Sequence, residues 1–306
     1  RPSGIDSPLP PPHMNFDAKR LLLAGLALVA IYHVVTLVRG LPKLGSVRPT
    51  TGFLLTGMVT EFFDTLGIGS FATTTAIFRA TKWVKDAMIP GTLNAGHTIG
   101  TLAQAFIYTQ VVEVEPVTLV GMIIAAVFGS WLGAGLVAKW PTQRIQLGMG
   151  LCLAAAAALT FAQAAGVIPG GGEAIGVTGV KLGIALFGNF ALGVLMTIGI
   201  GLYGPCLLLV SALGMSPAAA FPIMMGSCAF LMPFASARFI RLGKVDPKAV
   251  VGTIIGGLPA VLIAAYIVKS LPLTAMRWLV AVVVAYTAFS LIMSARRNVA
   301  ADAVTT

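Results

Sequence analysis

The chain has 306 residues, of which 57% are apolar and 10% charged, and its mean hydropathy is +0.93. Soluble domains carry about a quarter charged residues, so this composition excludes an ordinary soluble globule and a disordered chain alike and points to a bilayer. Spans of roughly 20 apolar residues leave room for about eight to ten membrane segments and for no sizeable extramembrane domain. The 20 Lys and Arg against 10 Asp and Glu give a net charge of +10, which in a membrane chain reads as basic cytoplasmic loops and not as nucleic-acid binding.

The Pro-rich stretch 1–13 reaches His13-Met14, a dipeptide typical of a cloning junction. It is set aside as a remnant of cloning, and the natural chain is expected to start at Met14. Leu21 to Val38 is long enough to span and has no small-residue cleavage site, so it reads as a retained helix, with a linker to residue 50. Further apolar windows place helices near 92–112, 116–138, 142–165, 217–237, 247–268 and 272–294.

Two longer windows, 52–83 and 181–213, are each broken by glycines, at Gly67-Ile68-Gly69 and at Gly199-Ile200-Gly201-Leu202-Tyr203-Gly204-Pro205. The first, at 32 residues, is too long for one span and too short for two with a turn. A pair of half-length helices meeting inside the membrane fits each. A shift of 132 residues lays Thr65–Gly69 on Thr197–Gly201 and Pro90 on Pro222. A shift of 131 lays Glu115-Pro116 on Asp246-Pro247, Gly121 on Gly252 and Pro141 on Pro272. The expectation is an internal duplication: repeat one over 51–165, a linker at 166–180, repeat two over 181–295, and a tail at 296–306.

Charge orients the chain. If each broken window enters and leaves on one side, 14 of the 19 basic residues from Lys19 onward share a face; if each crosses once, the split is 10 to 9. The hairpin reading satisfies the positive-inside rule. Each half then holds a hairpin and three crossings, an odd number, so the two halves are inverted with respect to one another. The expected fold class is an all-α polytopic membrane protein with two inverted-topology repeats and one extra N-terminal helix. This is the design of many secondary transporters, with the site where the broken helices meet.

After each break a half-helix begins, and its free N–H groups and dipole suit an anion without any buried Lys or Arg. The expected substrate-binding residues are Gly67, Gly69, Ser70, Thr73 and Thr74 at the first break and Gly199, Gly201, Tyr203 and Cys206 at the second. Asn94 on the following helix and Cys228 near its repeat-equivalent complete the set. Glu61 and Asp64, three apart on one helical face, are carboxylates deep in an apolar segment and carry a functional expectation by default. With His97, which titrates near neutrality, they are the candidates for proton coupling. The bland alternatives are a capping or Lys-paired acid and a hydrogen-bonded packing histidine. Cys152, Cys206 and Cys228 lie in apolar stretches and read as unpaired thiols. No P-loop, His-Glu-x-x-His or haem motif occurs, so no cofactor and no metal are expected.

Thr60-Glu61-Phe62-Phe63-Asp64-Thr65-Leu66-Gly67-Ile68-Gly69-Ser70-Phe71-Ala72, with Gly199-Ile200-Gly201 in the second half, resembles the TauE/SafE sulfite-exporter family, also called the toluene-sulfonate uptake permeases. The resemblance covers about residues 50–295. Ser70 and Leu202 stand where the family more often has a third glycine, which marks a divergent branch. The resemblance implies a secondary transporter of sulfite, sulfoacetate or related small organic acids, often moving them outward, in a bacterial inner membrane; the charge count above puts the C-terminus on the cytoplasmic side. The partners implied are a small anion and the lipid bilayer, and a homodimer through the first helix is one allowed assembly. The rival readings are a passive anion channel and an intramembrane serine hydrolase built on Ser70 and His97. The hydrolase lacks a Gly-x-Ser-Gly run, so the chain is expected not to be an enzyme.

Overall fold

The computed structural model describes residues 16–136, 172–196 and 201–270, with scattered positions between 147 and 167 and between 272 and 296. Among the described residues every regular element is helical. They are α1 (Phe16–Gly40), α2 (Thr51–Thr65), α3 (Ser70–Thr81), α4 (Ile89–Val111), α5 (Pro116–Leu136), α6 (Gly179–Met196), α7 (Tyr203–Ala212), α8 (Ala220–Arg241) and α9 (Pro247–Lys269). The expected helices at 142–165 and 272–294 lie largely outside the described residues, as do Cys152 and residues 1–13. Among the described residues four helical segments are long and apolar enough to cross a membrane: Lys19–Leu44, Gly179–Met196, Pro217–Arg241 and Pro247–Ile267. The outward faces of these and neighbouring helices carry large apolar side chains such as Leu28, Trp131, Phe187 and Tyr266, as contact with lipid requires.

The first broken window is two short helices. At a rise of ~1.5 Å per residue α2 is about 22 Å long and α3 about 18 Å, both short of a ~30 Å hydrocarbon core. Gly67 ends α2 with φ +96°: its N–H donates to the Asp64 carbonyl at 2.8 Å, and the Ile68 N–H donates to the Phe63 carbonyl at 3.0 Å. This paired closure needs a residue at positive φ. Gly69, at φ +85°, starts α3. The hairpin returns to its starting side, because the Phe53 ring at the head of α2 meets Trp83, just past α3, edge-on at 5.7 Å. The second hairpin closes likewise: Lys181 Nζ at the head of α6 donates to the Leu213 carbonyl after α7 at 3.0 Å. Here the first arm is longer than expected, since α6 runs 18 residues and starts at Gly179.

The two hairpin mouths lie at opposite ends of α4. At its first turn, Thr92 Oγ1 accepts the Asp246 N–H at 2.9 Å, and Gly252 of α9 abuts Phe53 of the first hairpin. Past its last turn, the Glu115 N–H donates to the Ile175 carbonyl at 2.9 Å, and Ser216, after α7, is tied to Ala174 at 2.8 Å. The acids matched in sequence do the same local work. The Glu115 carboxylate accepts from the Val117 and Thr118 N–H groups at 2.9 and 2.7 Å, and Asp246 accepts from the Ala249 N–H at 3.0 Å, each capping a helix that opens on proline.

Packing is made by small residues. The broadest pairings are α2 with α9, α5 with α6 and α4 with α8. A Cβ on Gly57 would fall 2.5 Å from the Thr253 carbonyl oxygen, and Gly256 presses on the Leu54 backbone; Gly129 presses on Phe190 and Gly193 on Ala126. With lipid on the other side, such close backbone approach is what holds membrane helices together. Substituting Gly57→Val or Gly256→Val should cost about 2–4 kcal/mol by overpacking, seen as a fall of roughly 5–10 °C in the melting temperature of the detergent-solubilised protein. Gly183→Ala, where nothing lies within 4 Å, should leave it unchanged.

Candidate functional site

The two hairpins meet at their tips. A Cβ on Gly67 would touch Leu207 Cδ1 of α7 at 3.2 Å, and one on Gly69 would lie 3.9 Å from Tyr203 Cβ. Beside this junction lies a closed polar cluster in which Glu61, Asp64, Thr65, Ser70, Thr74, His97 and Gln104 are each at most 2% exposed. Its members come from α2, α3, α4 and α7.

Asp64 is held by the chain break itself. Gly69 precedes α3 without a side chain to cap it, and Asp64 Oδ1 accepts the Ser70 N–H at 2.5 Å. The acid therefore occupies the start of the half-helix, the capping role open to it from sequence. Its other oxygen, Oδ2, accepts from Gln104 Nε2 at 2.9 Å. The same nitrogen lies 3.2 Å from Glu61 Oε2 and 3.0 Å from Thr65 Oγ1, and Thr65 gives its own proton to the Glu61 carbonyl at 2.8 Å. Gln104 Oε1 accepts from the Tyr203 hydroxyl at 3.0 Å. One amide thus joins both acids of the first hairpin to the first residue of α7.

Glu61 Oε1 meets His97 Nδ1 at 2.9 Å, and His97 Nε2 meets Thr74 Oγ1 at 3.0 Å. A neutral imidazole satisfies both contacts if Nδ1–H donates to the carboxylate and Nε2 accepts the threonine proton. Room for Glu61 comes from glycines on two other helices. A methyl at Gly100 of α4 would fall on its carboxylate, and one at Gly257 of α9 on its Cγ.

Hydroxyl, imidazole and carboxylate in series have the connectivity of a hydrolytic triad. Hydrolysis also needs donors aimed at a developing oxyanion. Here the hydroxyl that meets the histidine is Thr74, not Ser70; Thr74 sits in the second turn of α3 with its own N–H inside the helix, and the Ser70 N–H is taken by Asp64. The string is suited to moving a proton between Glu61 and Thr74 through an imidazole.

Of the residues expected from sequence, Glu61, Asp64, His97, Ser70, Thr74 and Tyr203 come together here, with Gly67 and Gly69 forming the tip. Cys206 is buried a turn beyond Tyr203. Others point elsewhere. Asn94 Nδ2 donates to the Pro90 carbonyl of its own helix at 2.9 Å, Thr73 Oγ1 returns to the Ser70 carbonyl at 2.9 Å, and Cys228 Sγ contacts Met196 Sδ at 3.7 Å. Gly201 is exposed, and Gly199 lies outside the described residues. Gln104, Thr65 and Tyr108, whose hydroxyl donates to the Thr65 carbonyl at 3.2 Å, were not among the nominated residues. The signal for two of them is in the sequence: His97, Thr101, Gln104 and Tyr108 follow one another at helical spacing and form a polar stripe on α4.

Among the described residues no group of three or more His, Cys, Asp or Glu side chains is placed to hold a metal ion. No family model matches the chain, and no curated protein or solved structure matches it either.

Proposed function

We propose that the protein is a secondary transporter of small anions whose movement is coupled to protons through Glu61, Asp64 and His97. The observation that carries this reading is the position of Asp64. Its carboxylate sits on the N–H at the start of α3, where a substrate anion would be drawn by the helix dipole. A charged Asp64 and a substrate anion compete for that place. A proton on Asp64 weakens its hold on the Ser70 N–H, frees the helix end and removes the charge that repels the anion. Anion and proton therefore bind together, and a monoanion entering with one proton adds no net charge to a dry core, where an uncompensated charge is expensive.

The reading includes inverted repeats. Under the 132- and 131-residue shifts α2 corresponds to α6 and α5 to α9, so the α2–α9 and α5–α6 pairings exchange with one another. Particular contacts exchange too. Gly57 lies on the Thr253 backbone, and its counterpart Asn189 donates to the Met122 carbonyl, the counterpart of Thr253, at 2.7 Å. Glu61 packs on Gly257 where Gly193 packs on Ala126. Hairpin mouths at opposite ends of α4 fit two halves of opposite orientation rocking around a shared site. The closed cluster favours a carrier over an open channel, since it offers no continuous polar path among the described residues. The resemblance to sulfite exporters supplies the substrate class, sulfite and small organosulfonates, along with an outward flux and a bacterial inner membrane; the positive-inside count supplies a cytoplasmic C-terminus.

Flux and counterflow in proteoliposomes test this, with methanesulfonate and sulfoacetate as probes; methanesulfonate keeps its charge at every working pH. One proton bound per anion makes KM rise about tenfold per pH unit once Asp64 is charged. Asp64→Asn should flatten that slope and keep at pH 8 the KM that the unmodified protein shows at low pH, within about threefold. If Glu61→Gln and Asp64→Asn both retain the original pH dependence, the coupling assignment fails. A bulky residue at the tip, Gly67→Val, should abolish anion binding, and Gly100→Ala, which drives a methyl onto the Glu61 carboxylate, should cut flux at least tenfold. Saturating flux with counterflow supports a carrier, and non-saturating flux without counterflow a channel.

A further inference from the structure

The cluster contains one group that touches both hairpins. Gln104 belongs to α4 and to neither hairpin, yet its Nε2 faces Glu61, Asp64 and Thr65 of the first, and its Oε1 receives the Tyr203 hydroxyl of the second. The orientation of this amide is fixed chemically. Charged carboxylate oxygens only accept, and Thr65 has given its proton to the Glu61 carbonyl, so all three neighbours on that side need a donor. The amide must present its NH2 to them and its oxygen to Tyr203.

We infer that Gln104 is a positioning residue that makes the hold on the second hairpin depend on the protons carried by the first, a latch closed while either Glu61 or Asp64 is charged and loosened when both are protonated. The inference rests on the proton-coupling role proposed for these acids and adds the means by which their state reaches α7. Two protonated carboxyls present O–H donors to the amide and leave no charged oxygen there to hold its NH2. The acceptor they share is Gln104 Oε1, brought round by a half-turn of its terminal torsion, which is broad and roughly two-fold. That turn aims the NH2 at Tyr203, whose hydroxyl then accepts where it had donated, and its proton loses the amide oxygen; Thr101 is the other side chain bonded to that hydroxyl. The titratable groups around the latch are Glu61 and Asp64 from α2, His97 and Tyr108 from α4, Tyr203 and Cys206 from α7 and Cys228 from α8. From α9 the approach to Glu61 is by Gly257, which brings no charge. His97 acts on the same switch from the far side, because its bond to Glu61 Oε1 sets how readily Oε2 gives up or takes a proton.

The position of Tyr203 makes the coupling mechanical. It is the first residue of α7 and is 6% exposed. Holding its hydroxyl holds the start of a helix of only 10 residues, too short to be stable through its own hydrogen bonds.

Hydrogen exchange read by mass spectrometry on the full chain in lipid nanodiscs tests the latch without any substrate. After correction for intrinsic rates, amides of 201–212 should exchange about tenfold faster at pH 5.5 than at pH 8. Tyr203→Phe and Gln104→Leu should exchange at pH 8 as fast as the unmodified protein does at pH 5.5, with less than a twofold response to pH. The double substitution Glu61→Gln, Asp64→Asn should behave the same way. Ser236→Ala, which removes a buried hydroxyl bonded to Met232 within α8, should keep the full pH response, separating the latch from a general loss of packing. A pH response that persists in Tyr203→Phe, or an unmodified protein whose 201–212 amides ignore pH, overturns the inference. Because no transported anion enters the measurement, failure of the sulfonate flux assay and failure of the latch are read separately.

Discussion

The bond from the Ser70 N–H to Asp64 governs the site. A helix that begins inside a bilayer leaves its first N–H groups without water, and each unmet group costs as much as a lost hydrogen bond or more. Gly69 gives the turn its positive φ but has no side chain with which to cap the helix. The cap comes instead from an acid six residues upstream, across the break. Once Asp64 is committed there, its carboxyl is buried with no lysine among its hydrogen-bond partners, and the remaining polar groups follow. Gln104 neutralises part of that charge with N–H donors, Glu61 shares the same amide, His97 takes the other side of Glu61, and Tyr203 uses the oxygen left over. A break in the backbone has become a chain of side-chain bonds running from α3 to α7.

That chain can exist because glycines let the helices close around it. Gly100 and Gly257 are the two faces on which Glu61 lies, and any side chain at either would occupy the carboxylate's place. Gly57, Gly252 and Gly256 bring α2 and α9 close enough that their backbones touch. The small residues of this chain therefore act in two ways, as joints that hold lipid-bathed helices together and as the walls of a dry polar pocket. Substitutions at the first kind register in stability, and at the second, on the proposed function, in transport.

Much of this was legible in the sequence. The first break at Gly67-Ile68-Gly69, the helices α4, α5, α8 and α9 and the starts of α5 and α9 at Pro116 and Pro247 all follow from glycine and proline placement against an apolar background. Glu61, Asp64 and His97 stood out because an ionisable group in an apolar run is rare. What sequence did not reveal was direction. Asn94 and Thr73 are as polar as Gln104 and Thr74, and spacing alone does not say which turn back to their own helix carbonyls and which reach across; that depends on which neighbouring helix brings a partner. The longer reach of α6, beginning at Gly179, was hidden because Gly179 and Val180 carry neither charge nor proline, and the apolar window was bounded at Lys181.

On the inverted-repeat reading the two hairpins are not equivalent, and the difference bears on mechanism. The counterpart of Glu61 is Gly193, and that of Asp64 is Met196. The second hairpin carries the fold of the first without its acids. Two acidic hairpins meeting tip to tip would place four carboxylates in one dry core, and at ~5 Å and an effective dielectric of ~20 each like-charged pair costs about 3 kcal/mol. Confining the protons to one half keeps that cost small. On the proposed coupling it also divides the labour: the first hairpin would sense protons through Glu61 and Asp64, and the second, which has no acid at the matching positions, would be left to move. Tyr203 then needs only an uncharged hydroxyl to be held or released, which allows α7 to shift through the membrane without carrying a charge of its own.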